Sequence, residues 1–153
     1  MIVEKKLKEM GLELPEVPTP VANYLPCVRV GNVLYVGGTV GIYNGVLKHR
    51  GKVGAEVTLE QAYESAKLCG LNHLAAIKAE IGDLDKVERI IKVVGYVASA
   101  PGFVAQPAVI NGESDLLVEL YGERGRHTRL ALGIAEIGLH APVETEMTLL
   151  VRD

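Results

Sequence analysis

A chain of 153 residues is one domain of ordinary size, residues 1–153, large enough to bury roughly 70% of its unfolded surface without staples. Hydrophobic residues make up 48%, with one Phe and no Trp, so the core is aliphatic, and the surplus of aliphatic surface points to an oligomer. A net charge of −3 argues against a basic nucleic-acid platform. Cys27 and Cys69 lack metal-ligand spacing, and no disulfide is expected of them. There is no apolar run of transmembrane length, and charges from Glu4 onward leave no signal-peptide core, so a cytoplasmic protein without membrane partners is the expectation.

Val3, Leu7 and Met10 recur at helical spacing before Gly11, which predicts a short N-terminal helix. Pro15, Pro18 and Pro20 then force an extended linker. Residues 26–30 and 33–36 flank Gly31-Asn32 as a hairpin, broken at Gly37-Gly38. Asn44-Gly45 is a second hairpin turn. Thr58-Leu-Glu-Gln61 is a capping box opening a helix to about Ile81, stopped by Gly82, with Leu59, Tyr63, Ala66, Gly70, Leu74, Ile77 and Ile81 as its buried stripe. Val87 to Ser99 is a strand apolar at nearly every position from Ile90 to Ala98, and a strand apolar on both faces is covered on both. Helices can cover one face; the other needs more sheet or a partner subunit. A second helix lies between Val104 and Tyr121. Two strands close the chain, about Thr128 to Glu136 and Val143 to Val151. In the last, Val143, Thr145, Met147, Leu149 and Val151 share one face, and Glu144, Glu146 and Thr148 the other. The order predicts an α+β domain, a mixed sheet with two helices on one face.

Arg129 and Glu144 each open one of the two closing runs, with a Gly/His/Pro turn between them. If the runs pair as neighbours, the two side chains can share a cleft. A guanidinium grips a carboxylate with two parallel hydrogen bonds, and a carboxylate beside it can activate water. This combination suits hydrolysis of a small acid.

The stretch from Arg129 to Glu146 resembles the C-terminal signature of the Rid (RidA/YjgF) family of imine deaminases, formerly called L-PSP endoribonuclease-like. There an Arg is followed by a small apolar strand, a short turn and a Val-Glu-Ile-Glu-like segment. The resemblance spans residues 20–151, leaving residues 1–19 as an N-terminal extension. Leu68-Cys-Gly-Leu-Asn-His, Val97-Ala-Ser-Ala-Pro-Gly-Phe and Gly125-Arg-His-Thr-Arg129 are similar to a longer subgroup. The resemblance implies a chorismate-mutase-like fold, a homotrimer with clefts between subunits, no cofactor, and a small carboxylate-bearing metabolite as partner.

The resemblance also implies site residues. Arg129 falls on the family's carboxylate-binding Arg, and Glu144 on the Glu beside the catalytic water. Tyr24 falls on the Tyr of the N-terminal motif, here Ala22-Asn-Tyr-Leu25. Asn111 falls near the family's Asn at the second helix, although by itself it reads as a helix-start residue. Three positions depart from the pattern. Gly37-Gly38-Thr39 stands for Ser-Gly-Gln, Leu130 for the Ser after the Arg, and Ile137-Gly138 for Leu-Pro. Gly37, Gly38 and Thr39 would wall the cleft, the carbonyl near Ala131 would help orient water, and His127, the histidine nearest Arg129, would line it. His73 reads as structural, and no His pair has metal-ligand spacing.

The implied reaction is hydrolysis of a 2-imino acid to a 2-keto acid and ammonia. The alternative is a trimeric carboxylate-binding module without turnover. A ribonuclease ranks last, because the one basic cluster, Arg124 to Arg129, has no interleaved aromatics for base stacking.

Overall fold

The computed structural model describes residues 1–17, 19–20 and 22–153; Pro18, part of the expected linker, lies outside them. Helix α1 (Ile2–Glu9) forms where the spacing predicts it. The Asp85 carboxylate accepts the amides of Ile2 (2.7 Å) and Val3 (2.9 Å) at its start, and Gly11 follows at φ 73°.

Strands β1 (Cys27–Val30) and β2 (Val33–Val40) are the expected hairpin. The glycines do not end β2, as the sequence reading has it. Gly37 and Gly38 together face a single residue of a neighbouring strand, forming a bulge, and pairing resumes at Thr39. Strands β3 (Ile42–Tyr43) and β4 (Val46–Leu47) flank Asn44-Gly45, where both residues have positive φ (48° and 85°), as a two-residue hairpin turn of this kind requires.

Helix α2 (Leu59–Ile81) begins with the complete Thr58–Gln61 capping box and ends at Gly82 with φ 85°. It is buried on most sides rather than along one stripe. The cause is a second helix layer. Helix α3 (Gln106–Tyr121) packs so closely that a Cβ at Gly112 would overlap the Tyr63 carbonyl.

Strands β5 (Val87–Ala98), β6 (Thr128–Ile134) and β7 (Val143–Val151) complete a five-stranded sheet of order β1-β2-β7-β5-β6. Only β5 and β6 are parallel. The two closing strands are therefore not neighbours, contrary to the sequence reading. A parallel pair needs a crossover helix, here α3. The return strand β7 then takes the other side of β5, between β5 and β2.

Leu34, Val36, Ile90, Val93, Met147 and Leu149 point from the sheet into the helix layer and are fully buried or nearly so. The opposite face is open except at one end, where Ala98 and Tyr96 pack with Ile137 and Ala141. Val28, Val30 and Tyr35 at one side and Leu130 and Leu132 at the other are exposed there. On β5 itself Val94 and Ala98 are buried on this face, so part of the cover that its two-sided pattern calls for is present within the chain. No helix among the described residues is long and apolar enough to cross a membrane.

Candidate functional site

Arg129 lies on β6, the edge strand, opposite Val93 of β5, which in turn faces Met147 of β7. Since Val93 and Met147 point into the helix layer, Arg129 does too, and α3 receives it. Its Nη1 donates to Asn111 Oδ1 (2.7 Å) and Ser114 Oγ (3.2 Å), and its Nη2 to the Pro107 carbonyl (3.3 Å). Ser114 also meets His127 Nε2 at 2.8 Å, and His127 Nδ1 lies 2.6 Å from the Gly125 carbonyl. Asn111 is thus not a helix-start residue. It sits inside α3 and fixes the guanidinium. Ala131 is two residues farther along β6, on the same face as Arg129 and opposite Gly95.

The second cluster gathers at the β2 bulge. Tyr24, Gly37, Gly38 and Thr39 line a small open pocket, closed on the α2 side by Asn72, His73 and Ala76. The Tyr24 ring is exposed. Glu144 pairs with Val40 and Tyr96 and stands on the open face of the sheet. Its carboxylate abuts the bulge, with Oε2 2.6 Å from where a Cβ at Gly38 would be. Any residue other than glycine there would displace the Glu144 carboxylate.

Of the residues that the sequence singles out, the fold brings Arg129, Asn111 and His127 together at one sheet edge. It gathers Tyr24, Gly37, Gly38 and Thr39 around one pocket at the β2 bulge, and Glu144 touches this group at Gly38, from the other face of the sheet. It does not bring the two groups together within one chain. β5 lies between β7, which carries Glu144, and β6, which carries Arg129, two strand spacings or about 10 Å, and Arg129 and Glu144 are on opposite faces.

Two residues at these clusters, Ser114 and Glu113, escape the sequence reading, and His73, read as structural, has a partner that the sequence does not show. Ser114 shares Arg129 with Asn111, one helical turn on; its spacing from Asn111 is the only local signal. Glu113 pairs with His73, and both are fully buried. His73 Nδ1 lies 2.9 Å from Glu113 Oε2, and Nε2 lies 3.1 Å from the Gly37 carbonyl. The Thr145 hydroxyl donates to the same Glu113 oxygen (3.3 Å). Burial would strip the proton from His73, but the charge and hydrogen bond of Glu113 outweigh it and hold its pKa above the ordinary histidine value. Among the described residues no group of three or more His, Cys, Asp or Glu side chains is arranged to hold a metal ion.

Residues 4–141 match the family described as YjgF/chorismate_mutase-like, putative endoribonuclease. Protein TCP17 of Trypanosoma cruzi is 35% identical over 145 residues, covering 94% of this chain and 91% of that protein. The crystal structure of Atu1372, a protein of unknown function from Agrobacterium tumefaciens, is similar at 42% identity and a TM-score of 0.91, covering 98% of this chain and 92% of that one. That of a putative endoribonuclease from Shewanella oneidensis is similar at 30% identity and a TM-score of 0.95, covering 99% of this chain and 100% of that one. The chain belongs to the YjgF/Rid family and has its α+β, chorismate-mutase-like fold.

Proposed function

We propose that the protein hydrolyses reactive 2-imino acids and their enamine tautomers, releasing ammonia and a 2-keto acid. The observation that carries this reading is how Arg129 is held. A guanidinium has five N–H donors. Asn111, Ser114 and Pro107 engage three of them, which leaves two, the number a carboxylate takes in a bidentate grip. The grip is oriented before a ligand arrives, so the entropy of positioning is met in advance.

In this reading Arg129 holds the carboxylate of the imino acid and Glu144 takes a proton from water. The hydroxide attacks the C=N carbon and gives a carbinolamine. Glu144 returns that proton to the nitrogen, then takes the carbinolamine hydroxyl proton and passes it to the nitrogen as the C–N bond breaks, so that the C=O forms and ammonia leaves. One imino acid and one water yield one 2-keto acid and one ammonia. These steps use no organic cofactor.

Arg129 and Glu144 meet only if the site is shared between copies. Two complementary half-sites at different places on one chain can join head to tail, and such contacts close into a ring where the rotation between copies closes. The exposed apolar face of the sheet supports the same assembly, since it is the surface a ring would bury. We propose a homotrimer, with one Arg129 facing the Glu144 of the neighbouring copy across each cleft.

The basic cluster favours a small acid over RNA. Arg124 donates to the Val87 carbonyl (2.6 Å) and lies over the Tyr121 ring, Arg126 is near Glu123, and Arg129 is held by α3. Few cations remain for a phosphate backbone.

The test is a coupled assay. An amino-acid oxidase generates 2-iminobutanoate, and its decay is followed with and without the protein. Faster decay is expected. Unchanged decay together with binding of pyruvate or 2-ketobutyrate would favour a carboxylate-binding module instead.

A further inference from the structure

His73 and Glu113 occupy the interior as a polar pair. Replacing a buried ionic pair by apolar residues of similar volume is often neutral or stabilising, so stability alone does not account for it. Glycine at position 70 also gives Glu113 room: a Cβ there would lie 3.2 Å from Glu113 Cγ.

What the pair touches does account for it. A carbonyl only accepts hydrogen bonds, so at 3.1 Å from the Gly37 oxygen the His73 Nε2 carries a proton. Glu113, oriented by Thr145, faces the other ring nitrogen and fixes the ring. The Gly37 carbonyl therefore points into the helix layer. No peptide bond among the described residues is cis, and in a trans peptide the N–H points opposite to the C=O. The Gly38 N–H is thereby sent toward the open face of the sheet. In a regular strand both groups lie in the sheet plane and bond to neighbouring strands. Here the bulge frees the peptide to turn. The open face is also where Glu144 lies, its carboxylate packed on Gly38.

We infer that the buried His73–Glu113 pair is the positioning device of this site, holding the Gly37–Gly38 peptide turned out of the sheet so that the Gly38 N–H is offered beside Glu144 to a carboxylate oxygen of the ligand. The identity of that ligand rests on the function proposed above; the role of the pair in turning the peptide does not. His73 and Glu113 touch no substrate and act through the backbone of Gly37.

Two double variants and the wild type test this. H73L/E113L removes both charges and the donor to Gly37. H73Q/E113Q removes the charges but keeps an amide N–H that can reach the carbonyl. Crystal structures should show the Gly37 carbonyl turned toward α2 in the wild type and in H73Q/E113Q, and turned away in H73L/E113L. Pyruvate affinity should fall about tenfold or more in H73L/E113L, the scale of one hydrogen bond to a charged group, and recover most of that in H73Q/E113Q. An unmoved carbonyl with affinity within twofold in a folded H73L/E113L would overturn the inference. If H73L/E113L does not fold, ¹⁵N spectra of the wild-type His73 ring decide the matter: a protonated Nε2 supports the inference and an unprotonated one overturns it. If the wild type binds pyruvate without turning over imino acids, or binds no carboxylate at all, the proposed function falls, and the peptide's orientation still decides this point.

Discussion

Arg129 and Glu144 stand on opposite faces of one sheet, with β5 between their strands. A site that uses both therefore has to take them from two chains. Mixing experiments read this directly. Arg129→Ala and Glu144→Gln alone are each expected to keep only a small fraction of wild-type activity. Unfolded together in equal amounts and refolded, they should regain roughly a quarter of wild-type activity, because some clefts then pair an intact Arg129 with an intact Glu144. No recovery in well-refolded mixed oligomers would place both residues of one site in the same chain.

The two residues should fail differently. Glu144→Gln keeps the shape and one acceptor but cannot take a proton, so turnover should drop by roughly 10²-fold with carboxylate affinity nearly intact. Arg129→Lys keeps the charge but loses the fork, so KM should rise at least as much as kcat falls. Steady-state kinetics on the imino-acid assay check both. Wild-type turnover in Glu144→Gln would make Glu144 an ordinary strand residue.

Asn111 and Ser114 hold the guanidinium without facing the reaction. In N111A/S114A the Arg129 side chain should lose its fixed orientation, raising KM by about tenfold, the scale of lost hydrogen bonds to a charged group. Unfolding curves should stay close to wild type. An unchanged KM would mean that strand β6 alone orients Arg129.

Leu130 and Leu132 are exposed on the open face beside the edge of the sheet. L130E/L132E should release 16.4 kDa monomers, because charge is costly in an interface that excludes water. Light scattering at micromolar concentration would show it. A wild-type protein that is itself a folded monomer would remove the shared-cleft reading altogether.

Gly112→Ala tests the helix layer. Its Cβ would overlap the Tyr63 carbonyl, so α2 and α3 must separate, at a cost of ~1–3 kcal/mol by denaturant unfolding. Full stability in the variant would show that the helices yield without penalty.

The local features of this fold are legible in the sequence because their causes are local. The Thr58–Gln61 box, the Asn44-Gly45 turn and the alternation along Val143–Val151 each depend on residues a few positions apart, and the structure shows all three. The features that escape reading depend on order across the chain. Nothing near Arg129 or Glu144 indicates that β5 will separate their strands. His73 and Glu113 are 40 residues apart, so neither reads as half of a pair. Gly37-Gly38 looks like an interruption because the partner that makes it a bulge, β7, comes more than a hundred residues later.

That bulge also governs which side chains the rest of β2 shows to each side. Before it, Val36 faces Met147; after it, Thr39 faces Thr145. An unbroken strand would place residues 36 and 39 on opposite sides, since side chains alternate with a period of two. The extra residue restores Thr39 to the interior side and leaves Val40 beside Glu144 on the exterior. Losing one glycine would thus do more than shorten a turn. It would exchange the inward and outward roles of every residue from Thr39 to the end of β2, and Asn72 would lose the Val40 carbonyl that it now holds at 3.0 Å. The length of this segment is as strict a requirement as its composition.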